Sequence, residues 1–274
     1  MTTSQSDKAN RFRALHQGPA PFVMPNPWDA GSARMLAGLG FAALATSSGA
    51  FAGTLGRRDG KVTRDEALAH ARAVAGAVDI PVSADLENGF GHPPAFAAET
   101  VRLAAGTGLV GCSIEDATGE KDRPLYEFSQ AVERVAASVE AAKALGFAFT
   151  LTARSENFLR GSPNLDDTIK RLVAYEKAGA DVLMAPGLPD LAAVKTVCAA
   201  LSKPFNFMVG IKGRSFTTAE LGAAGVRRIS LATSLYRAAM SGLVAAAKEA
   251  KDSGTFGYID DTMSTPELNA YMAG

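Results

Sequence analysis

Apolar residues along this chain fall into short runs that close on polar residues or glycine, and each run is followed by an Ala- and Leu-rich stretch with helical spacing. The runs predict strands at Phe22–Met24, Ala42–Thr46, Pro81–Asp85, Val110–Glu115, Ala148–Arg154, Val182–Ala185, Phe205–Val209 and Arg228–Ala232. Between them Ala67, Ala71, Val74 and Val78 recur at steps of three and four, and Glu66 follows Thr63 by three residues as in a capping box. A later helix runs from Asp167 through Leu172, Tyr175 and Ala178 to a stop at Gly179, and Gly40, Gly106 or Gly108, Gly146 and Gly225 end others. The segments richest in breakers, Gly49–Gly60 and Ala117–Pro124, read as loops.

Eight such alternations without an interdomain linker predict a single α/β domain over residues 1–274, a (β/α)8 TIM barrel, with a doubly wound sheet as the second choice. Residues 1–20 form an N-terminal extension and 234–274 a C-terminal helical segment. In that segment Ser234–Lys251 reads as a long helix with Leu235, Ala238, Ala239, Leu243, Ala246 and Ala247 on one face, and Thr265–Met272 as another helix. Either the chain's own barrel or a neighbouring copy would cover that face.

Composition narrows the function classes. The 274 residues carry 28 Lys and Arg against 28 Asp and Glu, interspersed, so no basic face is available for nucleic acid. Runs such as Phe41–Ala45 and Phe147–Leu151 are far short of the roughly 20 residues that cross a bilayer, so no membrane partner is expected. The start, Met1–Arg13, lacks an apolar signal core, and Cys112 and Cys198 are too few for a disulfide framework or zinc cluster. These features point to a cytoplasmic protein.

In a barrel of this kind chemistry gathers where strands lead into helices. The predicted strand ends carry Asn26, Trp28 and Asp29; Thr46, Ser47 and Ser48; Asp85 and Glu87; Glu115 and Asp116; Arg154 and Glu156. The opposite ends are mostly Gly, Ala, Pro and apolar residues. Residues two apart share a face of a strand, which brings Asp85 beside Glu87 and Arg154 beside Glu156. Like charges held together need a cation or a counter-charge, and Mg2+ is the natural ion for a carboxylate set. The alternative is that these carboxylates are solvated or pair with Arg154. His16 and His70 read as exposed or interface residues, Cys112 as core, and Met184 and Met208 as barrel filling. His92 stands between loop packing and substrate contact, Trp28 between pocket wall and packing, and Asn206 between the mouth and the nearby backbone.

The motifs Asn26-Pro27-Trp28-Asp29-Ala30-Gly31-Ser32-Ala33-Arg34, Thr46-Ser47-Ser48-Gly49 with Gly56 and Asp59, Ala84-Asp85-Leu86-Glu87-Asn88-Gly89-Phe90-Gly91, Ile114-Glu115-Asp116 and Thr152-Ala153-Arg154-Ser155-Glu156 come in one order. Together they resemble the isocitrate lyase and phosphoenolpyruvate mutase superfamily, over about Phe22–Ala238. The resemblance implies a barrel whose last helix is exchanged between subunits of a homodimer or homotetramer. It implies Mg2+, with Mn2+ as a substitute, held chiefly by Asp85, with Asp59, Glu87 and Glu115 acting largely through water. The partner would be a small 2-oxo or 2-hydroxy carboxylate, cleaved beside a pyruvate-like enolate whose charge the ion offsets. Thr46, Ser47, Ser48, Trp28, His92, Arg154 and Glu156 are the expected substrate contacts, and Asp59 and Arg154 the expected catalytic groups.

The departures narrow the reaction. The lyases carry Lys-Lys/Arg-Cys-Gly-His in the loop after the fourth strand, where this chain reads Ala117-Thr118-Gly119-Glu120-Lys121-Asp122-Arg123-Pro124-Leu125-Tyr126, without cysteine or histidine. The Lys-x-Asn-Ser signature of the mutase and phosphonopyruvate hydrolase is absent as well, and Pro186-Gly187 stands where the lyases have a glutamate. What remains is a lyase or decarboxylase on an oxaloacetate-like acid, with Asp59, Glu120, Lys121 and Tyr126 as candidate bases. The alternatives are a carbon-phosphorus hydrolase or mutase acting on a phosphonopyruvate-like substrate, and a non-catalytic binding protein for a 2-oxo acid such as 2-oxoglutarate.

Overall fold

The computed structural model describes residues 3–273. Its strands are β1 Phe22–Met24, β2 Leu44–Ala45, β3 Val82–Asp85, β4 Gly111–Glu115, β5 Thr150–Arg154, β6 Val182–Met184, β7 Phe205–Met208 and β8 Arg228–Ser230. All seven ladders are parallel, in the order β1-β8-β7-β6-β5-β4-β3-β2. The Ala45 amide donates to the Pro25 carbonyl at 3.1 Å and draws β2 towards β1, so the sheet is a nearly closed (β/α)8 TIM barrel. Asn26 ties the same seam, its Nδ2 donating to the Thr46 carbonyl and its Oδ1 accepting from the amides of Leu231 and Ala232.

The helices are α1 Gln5–Leu15, α2 Ala30–Gly38, α3 Ser48–Thr54, α4 Arg64–Gly76, α5 Pro94–Ala105, α6 Phe128–Lys143, α7 Leu165–Ala178, α8 Leu191–Ala199, α9 Thr218–Ala223, α10 Ser234–Lys248 and α11 Thr265–Met272. Local signals account for their ends. Thr63 and Glu66 form the capping box of α4, and Gly179 ends α7 in the left-handed region at φ 107°. The stretch 49–60 is not all loop: Ser47 caps α3 by accepting from the Ala50 amide, which turns the first part of that segment into helix.

Strands β4 and β5 are buried along their whole length. Cys112, Ile114, Leu151 and Ala153 pack beneath the helices while the alternate residues point into the barrel, so these strands read as continuous rather than alternating patterns. Gly111 is required where it stands, because a Cβ there would come within 2.6 Å of the Thr150 carbonyl oxygen.

Helix α1 belongs to the barrel floor. Ala9 and Phe12 are fully buried and cluster with Met24, Ala43, Ala45 and Val110. His16 is likewise buried rather than exposed, its Nδ1 2.8 Å from the Phe12 carbonyl and its ring edge-on to Phe12 and Phe22. Helix α10 ends at Lys248, short of the predicted Lys251, and passes into a π-helical turn over Glu249–Ser253. No residue of α10 is buried. Helix α11 returns to α2, with Arg34 Nη1 donating to the Met272 carbonyl at 2.6 Å. No helix among the described residues is long and apolar enough to cross a membrane.

Candidate active site

The strand ends surround a cavity of about 1030 Å³ at the C-terminal mouth of the barrel. Arg154, at the end of β5, is the hub of its wall. Its Nη1 lies 3.0 Å from Asp85 Oδ1, its Nη2 2.7 Å from Glu156 Oε1 and 3.2 Å from Glu115 Oε2, and its Nε 3.0 Å from Glu156 Oε1. Burial opposes the charge on Arg154, but Glu156, Asp85 and Glu115 outweigh it and hold the group firmly cationic. Ser48 Oγ donates to Asp85 Oδ2 at 2.9 Å, and Thr46 Oγ1 accepts from the Asp85 amide at 3.2 Å. Three strand ends, those of β3, β4 and β5, are thus cross-linked through one guanidinium, and Ser48 and Thr46 add the end of β2 through Asp85.

Asp59 reaches the same cavity from the loop between α3 and α4. Its carboxylate lies over Gly49, where a Cβ would meet Asp59 Cγ and Oδ2 at 3.2 Å. Burial, followed by Asp85 and Asp59, pushes the Glu87 carboxyl up to about 7, against the opposing pull of Arg154 and Arg160. Glu115 is raised well above the ordinary range by burial and by Glu156. Asp59, Asp85, Glu87, Glu115 and Glu156 thus crowd around Arg154 and Arg160 at the mouth, and burial with carboxylate repulsion raises Glu87 and Glu115.

Glu87 itself is held in a left-handed conformation at φ 48°, with Phe90 at 62°. Arg134, fully buried on α6, secures that loop by donating to the main-chain carbonyls of Asn88, Gly91 and His92, with its guanidinium 4.2 Å from the Tyr126 ring centre. Asp116 secures the next one: its Oδ1 accepts from the Glu156 amide at 2.8 Å, and its Oδ2 accepts from Tyr175 at 2.6 Å and Arg171 at 3.2 Å.

Thr46, Ser47, Ser48, Asp85, Glu87, Glu115, Arg154 and Glu156 are all brought to the cavity, as the strand ends suggest, and Asp59 joins them from its loop. Trp28 and His92 are not in its wall. Trp28 packs edge-on to Tyr236, and His92 Nδ1 lies 2.9 Å from the Tyr126 hydroxyl. Among the candidate bases only Asp59 lines the cavity. Glu120 pairs with Arg123 and faces His92, while the buried Tyr126 is held by Asn88 and His92. Lys121 is exposed and outside the wall. His70 is half-buried, stacked on Phe51 at 3.9 Å with its Nε2 2.9 Å from the Trp28 carbonyl, not free at the surface. Cys112 is buried, and burial raises its thiol far above the ordinary value, which leaves it inert. Met184 and Met208 do fill the barrel and also form part of the cavity wall. Asn206 is buried and accepts from Ser230.

Sequence reasoning passed over Arg160, which lies 3.0 Å from Glu115 and 3.6 Å from Glu156. Its four-residue spacing from Glu156 was the available signal. Arg228, on the cavity floor, was also missed.

Mg2+ can be tested against this donor set. Glu156 Oε2 is buried without a hydrogen-bond partner, and Asp85, Glu87 and Glu115 bring further carboxylate oxygens to the same wall, so the residues present fit a hard dication. Among the described residues no three acidic, His or Cys groups converge to hold an ion alone. Magnesium does not require that, since it is often bound through one or two carboxylates and keeps several waters.

The fold and site define a TIM barrel with an acid-rich mouth organised by one arginine. The profile of the phosphoenolpyruvate phosphomutase family matches residues 12–251, and the chain belongs to that family, within the isocitrate lyase and phosphoenolpyruvate mutase superfamily. It is 28% identical to 2-methylisocitrate lyase of Escherichia coli K12, over 93% of this chain and 88% of the other. A crystal structure from Burkholderia cenocepacia J2315, described provisionally as a lyase/mutase, superposes with a TM-score of 0.97 at 49% identity, covering 98% of this chain and 97% of that one. Oxaloacetate acetylhydrolase bound to its product oxalate superposes with a TM-score of 0.89 at 25% identity, covering 98% and 94%.

Proposed function

We propose that this protein is a Mg2+-dependent lyase or decarboxylase that breaks a carbon-carbon bond in a small, oxaloacetate-like 2-oxo or 2-hydroxy carboxylate. The supporting observation is the five-carboxylate mouth organised by Arg154, whose charge deficit a dication would relieve. Asp85, with Glu87 and Glu115 beside it, would hold the ion. When bound, Mg2+ supplies positive charge against the oxygen on which negative charge builds as the bond breaks.

The chain's own groups do the rest. Ser47 and Ser48 open α3 at the mouth, where first-turn amides lack intrahelical acceptors and can receive a substrate carboxylate. Arg154 spends its Nε and Nη2 on Glu156 and Glu115 and one Nη1 hydrogen on Asp85, leaving a single Nη1 hydrogen for substrate. Asp59 takes the proton of a 2-hydroxy substrate, being the candidate base that reaches the cavity. The apolar residues of α10, Leu243 at 60% exposure among them, are covered by a second copy in a homodimer or homotetramer, which light scattering would register.

The test is pyruvate release from oxaloacetate and branched 2-hydroxy diacids with and without Mg2+, alongside phosphate release from phosphonopyruvate. Metal-dependent turnover lost in Asp85→Ala supports the proposal. Phosphate release would move it to the carbon-phosphorus class, and metal-dependent binding of 2-oxo acids with no product would make the protein a binding member.

A further inference from the structure

Arg228 is 2% exposed, on the inner face of β8, and lines the same cavity as Asp85. Every other arginine buried in the cavity wall or beside it has an acid or a set of carbonyls; Arg154 has three carboxylates, Arg171 has two, and Arg134 caps a loop. Arg228 has none. Its Nη2 donates to Thr152 Oγ1 at 2.9 Å, its Nη1 lies 3.3 Å from His16 Nε2, and its Nε is buried without a partner. Nδ1 of His16 faces the Phe12 carbonyl, so the ring donates there and presents a neutral, lone-pair nitrogen to Arg228. The charge on Arg228 has no counter-charge, although burial and the neighbouring Arg154 bring the group down only to about 9, which leaves it cationic at neutral pH.

An isolated charge inside a protein is costly unless something pairs with it. The residues above Arg228 leave room for a partner. Barrel interiors are ordinarily filled with bulky branched side chains, but here the small Ala45, Ser83 and Ser113 line the cavity beside the unbranched Met24, Met184 and Met208. Ser83 lies two residues below Asp85 on β3, and Thr152 two below Arg154 on β5, roughly 6.6 Å along each strand. A four- or five-carbon diacid with a hydrogen bond of about 3 Å at either end can span that drop.

We infer that Arg228 is the floor anchor for the second carboxylate of the substrate, so that the site selects dicarboxylates over monocarboxylates of equal length. The inference rests on the proposed binding of a small carboxylate at the mouth. A planar guanidinium with free hydrogens matches a carboxylate in two-point contact, and Thr152 and the neutral His16 hold the fork in place from one side.

Calorimetry with Mg2+ present tests it, using two pairs that differ in the distal carboxylate: 2-oxoglutarate against 2-oxopentanoate, and malate against 2-hydroxybutyrate. The expected result is tighter binding of the diacid in at least one pair, a preference that Arg228→Met reduces by roughly tenfold or more while monoacid affinity holds. Replacing an unpaired buried charge by an apolar side chain leaves the fold intact. Should Arg228→Met nevertheless unfold, Arg228→Lys, which keeps the charge and loses the fork, is expected to show a reduced preference. An unchanged diacid preference in the variant, an equal loss for both members of a pair, or no preference in the wild type overturns the inference. Diacid preference without turnover on any substrate would instead overturn the proposed reaction and leave the Arg228 assignment standing.

Discussion

Arg154 and Asp85 stand 69 residues apart in sequence and 3.0 Å apart in space. The pair is one arm of a three-carboxylate clasp, so the arginine has a structural duty that precedes any catalytic one. Arg154→Met strands Glu115 and Glu156 in the barrel without their main partner. We expect a loss of about 3 kcal/mol in chemical denaturation, together with loss of substrate binding. Arg154→Lys keeps the charge but cannot serve three carboxylates at once, and it should lose a large share of activity while remaining folded.

The floor of the barrel carries its own pH signature. Burial, with the charge of Arg228 added, lowers His16 to about 3 against 6.5 in the unfolded chain. Between those values the unfolded state binds a proton that the folded state refuses, so stability falls as pH drops from about 6.5 to 3. The contribution is on the order of 4 kcal/mol across that window. Urea denaturation over the same range should show a shallower slope in His16→Gln than in the wild type.

Gly49 and Asp59 meet at the mouth without room for a side chain between them. Gly49→Ala should push Asp59 off its position, aided by the 3.0 Å approach of the new methyl to Thr233 Cγ2. Activity is expected to fall by about one to two orders of magnitude, with unfolding transitions close to those of the wild type.

Tyr175 acts on Glu156 at one remove, through Asp116. Tyr175→Phe removes the 2.6 Å hydroxyl contact and should cost about 1–3 kcal/mol by thermal or chemical unfolding. A matching drop in kcat without a rise in KM would show that the anchored Glu156 loop serves the reaction as well as the fold.

Chelation supplies the remaining check. Removing divalent ions should abolish turnover, and Mg2+ or Mn2+ should restore it. The same treatment should leave the barrel folded, because the clasp of Arg154 with Asp85, Glu115 and Glu156 is complete without the ion.

Much of this molecule was legible from order and period alone. Strand and helix signals are local: the Thr63–Glu66 box, the Gly179 stop and the polar strand ends each act within a few residues, so one chain read in sequence suffices to find them. Parallel strands separated by helices then force their C-terminal ends to one face, which is why the sequence alone gathers Asp85, Glu87, Glu115, Arg154 and Glu156 at a mouth. Tertiary structure decided the pairing. Whether Arg154 faces one carboxylate or three, whether Tyr126 and His92 turn to the cavity or to each other, and whether a histidine in a helix is exposed or plugs the floor all depend on side-chain directions and barrel register. Arg228 is the clearest instance: in sequence it is one arginine of the pair Arg227-Arg228, and only the closing of the strands around it turns it into a buried charge without a partner.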